Sequence, residues 1–391
     1  MLLFKAALAA IAFLTAVGTA NADHWVYIGT YTGAGKDDSK GIYRAKLNDK
    51  TGELTELKLA AEVTSPSFLA ISPNNKFLYA VGETTQVGDK KEGTVHAYAI
   101  DGKTGELTKL NDEKTGGSGP CYIAVNNTGK YAIAANYGAG STALFSLKAD
   151  GSFDKQCDYF EHTPPAGKKA LGHCATFFAD PGTTETEFAY AVDAGLDRVY
   201  MFKLDTAKGK LVPQNPPFIA LPDKCAPRHI AFNTNTGKAY VCGERNSTIN
   251  TLRHDRNTGL LETWKQESAS VSTLPKDATD ELRKKNSTAE VVVHPSKGFA
   301  FVSNRGHDTL AVFKLTVEST TFDGFVTGAG ENSIKTPRNF NIAPNGHWIL
   351  VANQDGGTVR VVDWTPEGSK MTGIKVDVKN PVCVKFVPVL K

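Results

Sequence analysis

One short phrase occurs seven times along this chain. It reads small-x-x-apolar-x-apolar, and proline fills the first place in five copies. The first three copies are Pro66-Ser67-Phe68-Leu69-Ala70-Ile71, Pro120-Cys121-Tyr122-Ile123-Ala124-Val125 and Gly172-His173-Cys174-Ala175-Thr176-Phe177. The last four are Pro227-Arg228-His229-Ile230-Ala231-Phe232, Ala289-Glu290-Val291-Val292-Val293-His294, Pro337-Arg338-Asn339-Phe340-Asn341-Ile342 and Pro381-Val382-Cys383-Val384-Lys385-Phe386. Only His294 breaks the apolar rule at the last place. The mean period is roughly 52 residues, which suits a supersecondary unit that stacks on copies of itself. Most copies run through an Asn-, Gly- or Pro-rich turn into a second apolar strand. Ser72-Pro73-Asn74-Asn75-Lys76 leads to Phe77-Leu78-Tyr79-Ala80-Val81, and Ala343-Pro344-Asn345-Gly346 leads to Trp348-Ile349-Leu350-Val351. A third strand follows, as in Thr94 to Tyr98. Thr-Gly-x-Leu turns such as Thr51-Gly52-Glu53-Leu54 announce a fourth. Four antiparallel strands per repeat and seven repeats predict an all-β, seven-bladed β-propeller.

The two ends complement each other. The last phrase, Pro381 to Phe386, has no further strands after it. The opening segment Val26 to Tyr31 reads as a second strand with no phrase before it. One composite blade resolves both deficits: the C-terminal strand lies innermost and the N-terminal segment supplies the outer three, leaving no free sheet edge.

Composition bounds the rest. With 41% hydrophobic and 22% charged residues over 391 positions, the chain is of ordinary globular type. The repeat makes residues 23–391 one domain, because each blade buries its faces only against its neighbours. A net charge of +3 argues against nucleic acid or an anionic membrane as partner. Residues 1–22 read as a signal peptide: Lys5, an apolar run from Ala6 to Ala16, and Ala20-Asn21-Ala22 as the cleavage site. The mature protein is therefore expected to be secreted or periplasmic, without a membrane anchor. The six cysteines do not define a pairing, and several fit as small buried strand residues. A monomer is the expected state. The polar stretch from Glu267 to Asn286 lengthens one repeat. It is expected to roof one face of the channel, with a short helix between Asp277 and Lys285.

A propeller turns equivalent residues of every blade toward one central channel. Two positions per repeat are expected there. The first is the second residue of the phrase: Ser67, Cys121, His173, Arg228, Glu290, Arg338 and Val382. The second follows the second strand: Tyr31, Glu83, Tyr137, Ala194, Glu244, Arg305 and Gln354. Three arginines, three glutamates and a histidine thus converge. Guanidinium groups removed from water need anions, so Arg228, Arg305 and Arg338 point to an acidic small-molecule ligand bound in bidentate fashion. His229 follows Arg228, and strand alternation turns it to the opposite side, where packing is its alternative to binding. His307 and Asp308 are expected to orient the loop after Arg305, and His294 to serve in a turn.

The segments Ala226 to Phe232, Gly243 to Thr248, Ser303 to Asp308 and Thr336-Pro337-Arg338 with Val351 to Gln354 carry a family likeness. In order and spacing they resemble the lactonase family of seven-bladed propellers, which includes the propeller-type 6-phosphogluconolactonases and fungal carboxymuconate cyclases. The resemblance implies a catalytic set of His173, Arg228, Glu244 and Arg305. Arg338, Gln354, Glu290 and His229 are expected to bind substrate. Family members commonly carry His-x-His at the position of His173; Leu171 replaces the first here, which leaves one imidazole.

The implied chemistry is opening of a sugar-acid lactone. Glu244 is the expected base toward water, His173 assists the leaving ring oxygen, and Arg228 and Arg305 hold the anion or oxyanion. The Glu244 and His173 roles are open to exchange. No Gly-x-Ser-x-Gly nucleophile motif is present. No cofactor or metal is expected, although Glu83, Glu244 and Asn304 could offer oxygen ligands if nearby arginines did not repel a cation. A muconate-type cycloisomerase and a non-catalytic binding propeller are the competing readings. The first would use the same residues with proton transfer in place of water attack.

Overall fold

The computed structural model describes residues 23–33, 38–84, 92–178, 187–266 and 269–391. The expected signal peptide lies outside the described residues. Seven antiparallel sheets follow one another around a ring, and the innermost strand of each packs against the next. Blade 1 is the composite one: Pro381–Pro388 lies innermost, followed by His24–Thr30, Gly41–Leu47 and Leu54–Glu62. Its closing register pairs His24 with Pro388, Ile28 with Val384 and Thr30 with Pro381. Blades 2 to 7 begin at Leu69–Ile71, Pro120–Val125, Gly172–Phe178, Pro227–Asn233, Ser287–Val293 and Pro337–Ile342.

Position within a blade explains each strand's sequence. Second strands are sandwiched on both faces, so Trp348–Asn353 and Phe188–Asp193 are buried at every residue and read as apolar runs closed by one polar residue. Outer strands such as Leu54–Glu62 meet solvent and mix Lys and Glu with leucine. The core therefore lies between blades. Ile28 and Val384 of blade 1 meet Leu350 and Val361 of blade 7. Tyr240 and Cys242 of blade 5 meet Val302 and Phe313 of blade 6. All six cysteines are free, five of them buried. Among the described residues no helix is long and apolar enough to cross a membrane.

Two backbone devices recur at the start of the phrases and shape the channel. The residue before the phrase proline lies in the left-handed region in all five proline copies: Ser65 (φ 42), Gly119 (φ 62), Ala226 (φ 49), Thr336 (φ 48) and Asn380 (φ 47). Four of these carry a Cβ, and such backbone costs about 1–3 kcal/mol each. In return its carbonyl accepts the backbone N–H of the residue after the second strand. Glu83 bonds Ser65 at 3.0 Å, Glu244 bonds Ala226 at 2.9 Å, Gln354 bonds Thr336 at 3.1 Å and Tyr31 bonds Asn380 at 3.0 Å.

The second device is a β-bulge on the innermost strand. Pro337 faces Asn353 but Asn339 faces Ala352, so Arg338 is an extra residue. Cys121, His173 and Val382 are extra in the same way. Pro227 to Ile230 spans one residue more than its partner strand, as does Thr288 to Val291. A bulge re-aims side chains and bends the strand, here toward the axis.

The register corrects the alignment of the phrase in blade 6, the fifth copy. Thr288 faces Asn304 as Pro227 faces Gly243, so the phrase there is Thr288-Ala289-Glu290-Val291-Val292-Val293. Glu290 is thus the equivalent of His229 and Asn339, not of Arg228. The shifted frame removes the exception at His294. That residue instead ties its turn to blade 7 through Nε2 and the Gly346 carbonyl, 2.7 Å apart.

Candidate active site

The bulge residues form an upper ring in the channel. Arg228 and Arg338 line a narrow chamber with Tyr31, Ser67, Glu83 and Cys121. Arg338 Nη2 donates to Tyr31 Oη at 2.8 Å, and Tyr31 Oη donates to Glu83 Oε2 at 3.0 Å. Arg305 Nη2 pairs with Glu244 Oε1 and also donates to the Thr288 carbonyl at 2.9 Å. Arg228 Nη1 donates to the Ala289 carbonyl. Arg228 is only 4% exposed, yet its Nε has no hydrogen-bond partner, and neither does Arg305 Nε. Two buried guanidinium N–H groups therefore lack an acceptor in the protein.

The third residue of each phrase forms a second ring that plugs the channel: Cys383, Phe68, Tyr122, Cys174, His229, Glu290 and Asn339. Phe68 stacks on Tyr122 with centroids 3.9 Å apart, and both meet the His229 ring edge-on. Beyond the plug, Glu290, Asn339, Asn341 and Lys385 line a cavity of about 220 Å³ on the other side.

A wider cavity of about 650 Å³ lies at the upper mouth, lined by Tyr137, Leu171, Ala194, Glu244 and Arg245. Its roof is the expected one. Helix Asp280–Lys285 starts at Thr279, whose side chain accepts the Leu282 N–H, and it adds Arg283, Lys284 and Lys285 to the lining. Asn286 Nδ2 and Thr273 Oγ1 both donate to Asn304 Oδ1, at 3.1 and 2.8 Å, pinning the roof to blade 6. Asn304 is thereby committed to the loop and does not offer its oxygen to a cation. Gly306 (φ 124) allows the close approach: a Cβ there would lie 2.9 Å from the Lys285 carbonyl. Asp308 Oδ1 accepts from Gly306 N–H at 3.3 Å and Thr336 N–H at 2.8 Å, so it does orient its loop.

The electrostatics follow from burial and crowding. Burial alone would raise Glu244, but Arg228 and Arg305 outweigh it and hold the carboxyl below its ordinary range. Arg305 is pulled down to about 10 by burial and then by Arg228. Burial, then Arg228, His229 and Arg338, drives His173 well below 6.5, so its imidazole is neutral at neutral pH. His173 packs edge-on to Tyr137 at 5.3 Å and to His229 at 5.4 Å. Glu83 is raised, mainly by burial.

The structure thus brings Arg228, Glu244, Arg305 and Arg338 into one electrostatic field, with His173 beside Tyr137. His229 does not turn away as strand alternation predicts, because the bulge carries it into the channel. Glu290 lies one layer deeper than expected, in the plug. Gln354 turns its Nε2 to Asp355 Oδ1 at 3.2 Å, leaving Oε1 buried without a partner. Tyr31 and Glu83, which orient Arg338, were visible only as channel positions. Arg245 and the roof cations carry no repeat signal at all.

Comparison with known proteins agrees with this architecture. A family described as Lactonase, 7-bladed beta-propeller, matches residues 25–386. The chain is similar to a 6-phosphogluconolactonase of Bacillus subtilis, 31% identical over 364 residues, covering 92% of this chain and 97% of the relative. A solved protein from Lactobacillus plantarum superposes with TM-score 0.77 at 27% identity, covering 93% of this chain and 99% of that one. The periplasmic gluconolactonase of Pseudomonas aeruginosa superposes with TM-score 0.81 over 94% of this chain and 100% of that one. At 24% identity it speaks for the fold.

Proposed function

Because the chain belongs to the lactonase family of seven-bladed β-propellers and is a lactone hydrolase, we propose that it opens an acidic sugar lactone by direct attack of water. The carrying observation is the pair of buried guanidinium N–H groups, Arg228 Nε and Arg305 Nε, left without acceptors while Arg305 Nη2 pairs with Glu244. An anionic substrate, or the oxyanion that forms as its carbonyl is attacked, supplies what the protein omits.

Glu244 takes a proton from water as the water oxygen bonds to the lactone carbonyl carbon. The acyl–oxygen bond then breaks, and the proton passes from Glu244 to the departing ring oxygen. His173, neutral, offers a ring N–H to that oxygen and carries no net charge through the step. Depression of Glu244 keeps it ionised across the working range, which suits a base more than an acid. Arg338, oriented by Tyr31 and Glu83, extends the anion-binding wall. An exported location fits a lactone outside the cytoplasm better than a phosphorylated one.

The test is pH-stat hydrolysis of gluconolactone, its 6-phosphate and a muconolactone. Acceleration of a sugar-acid lactone over the spontaneous rate is expected. Opening of muconolactone alone, to an unsaturated diacid with no oxygen gained from water, would move the assignment to a cycloisomerase.

A further inference from the structure

Directly behind Arg228 lies a chain of hydrogen bonds with only one consistent polarity. Arg228 Nη1 can only donate, and it lies 3.2 Å from His229 Nε2. That nitrogen must carry the lone pair, so the imidazole proton sits on Nδ1. Nδ1 is 2.8 Å from Glu290 Oε1, which therefore accepts. The Val291 N–H donates to the same oxygen at 3.1 Å, and Asn339 Nδ2 donates to Oε2. Asn339 cannot reverse its amide, because its Oδ1 accepts the Val384 N–H at 2.9 Å. Three donors thus converge on Glu290, and all three bonds are kept only by a carboxylate. Glu290 is 6% exposed and His229 2%, so His229 has little access to water and Glu290 meets it only from the cavity that it lines.

We infer that His229 and Glu290 are positioning residues: the carboxylate holds His229 in the one tautomer that accepts from Arg228, and so fixes the guanidinium that meets the substrate's anion. This rests on the reading of Arg228 given above. His229 and Glu290 thereby change role, from substrate contacts to the layer that aims such a contact.

The arrangement couples Arg228 to pH. Arg228, His229 and Cys242 of blade 5 and Lys385 and Cys383 of blade 1 surround Glu290. Tyr122 of blade 3 and Cys174 of blade 4 complete the titratable shell. Burial pushes Glu290 up to about 7 against the pull of Lys385 and Arg228. A proton arriving on Glu290 sets donor against donor and breaks a link of the chain.

The first test needs no substrate. In protein with 15N-labelled histidine, the His229 signals are identified by their loss in His229→Gln. Above pH 8 they are expected to show a protonated Nδ1 and a bare Nε2. A proton on Nε2 at that pH overturns the inference, whatever the enzyme hydrolyses. The second test is kinetic. Folded Glu290→Gln is expected to lose about a hundredfold in kcat/KM, the scale of a misplaced contact, and to lose the pH limb near neutrality. Glu290→Asp should recover part of both. A folded Glu290→Gln with the wild-type rate and pH profile also overturns the inference. Absence of activity in every protein, with the tautomer as stated, would instead count against the functional reading.

Discussion

Two rings of side chains lie one residue apart on the same seven strands, and they treat polar groups in opposite ways. The upper ring holds Arg228 and Arg338 with Arg305 and Glu244 beside them, and leaves Arg228 Nε and Arg305 Nε without acceptors. In the plug ring below, both oxygens of Glu290, both ring nitrogens of His229 and both amide atoms of Asn339 have partners. A buried polar group left unpaired costs about 1–3 kcal/mol, so the upper ring is less stable than it could be. On the proposed function, the contrast separates the part of the channel that receives a ligand from the part that holds the ligand-binding side chains in place.

The sharpest way to break the comparison is Glu244→Gln. It removes the proposed base but keeps the shape, and kcat/KM should fall by about 100- to 10,000-fold, whereas the melting temperature at neutral pH should fall only by what the lost pair with Arg305 contributes. A loss of stability with kcat/KM unchanged would leave Glu244 a structural partner of Arg305 alone. The plug should answer the other way. Phe68→Ala deletes the ring that stacks on Tyr122 and meets His229 edge-on, and should cost about 3–5 kcal/mol in denaturant unfolding. Its effect on kcat/KM should be smaller than that of Glu244→Gln.

The two rings also differ in how stability follows pH. Glu290 is raised from 4.5 to about 7 in the folded chain, so the native state holds its proton more tightly than the unfolded one. Its stabilising contribution is full below about 4.5 and is lost as pH rises through about 7. Glu244 is depressed, so its contribution is present above its ordinary value and is lost as pH falls through the lowered one. Melting temperature against pH should therefore lose its decline near neutrality in Glu290→Gln and its acid-side decline in Glu244→Gln. The smallest effect is expected at Ala226→Gly, which relieves a left-handed residue and should stabilise by about 1 kcal/mol. A net loss there would mean that the Cβ of Ala226 matters to the mouth cavity it lines.

The blades were legible because each phrase pairs a small residue with an alternating apolar strand, and that pattern survives whichever side chains face the axis. Ring closure was legible from the strands missing at each end. The frame of the phrase in blade 6 was not, because Ala289 and Thr288 both satisfy a rule that asks only for a small residue. His294, out of place at the apolar position, was the signal of the slip. His229 was sent to the wrong side for a related reason. Alternation presumes a regular strand, and the bulge that breaks it leaves no mark in composition beyond the proline before it. The roof was visible as an overlong polar insert, whereas its attachment through Asn304, Thr273 and Asn286 depends on contacts between distant segments.

The central claim is water attack at the acyl carbon beside Glu244 and the arginines. It is tested most directly by a single turnover in 18O-labelled water on the best sugar-acid lactone. One labelled oxygen in the new carboxylate of the product, and none in the protein, is the result this account predicts. Label found in Glu244 would reveal a covalent acyl intermediate, and label in the product hydroxyl would reveal cleavage at the alkyl carbon; either contradicts it.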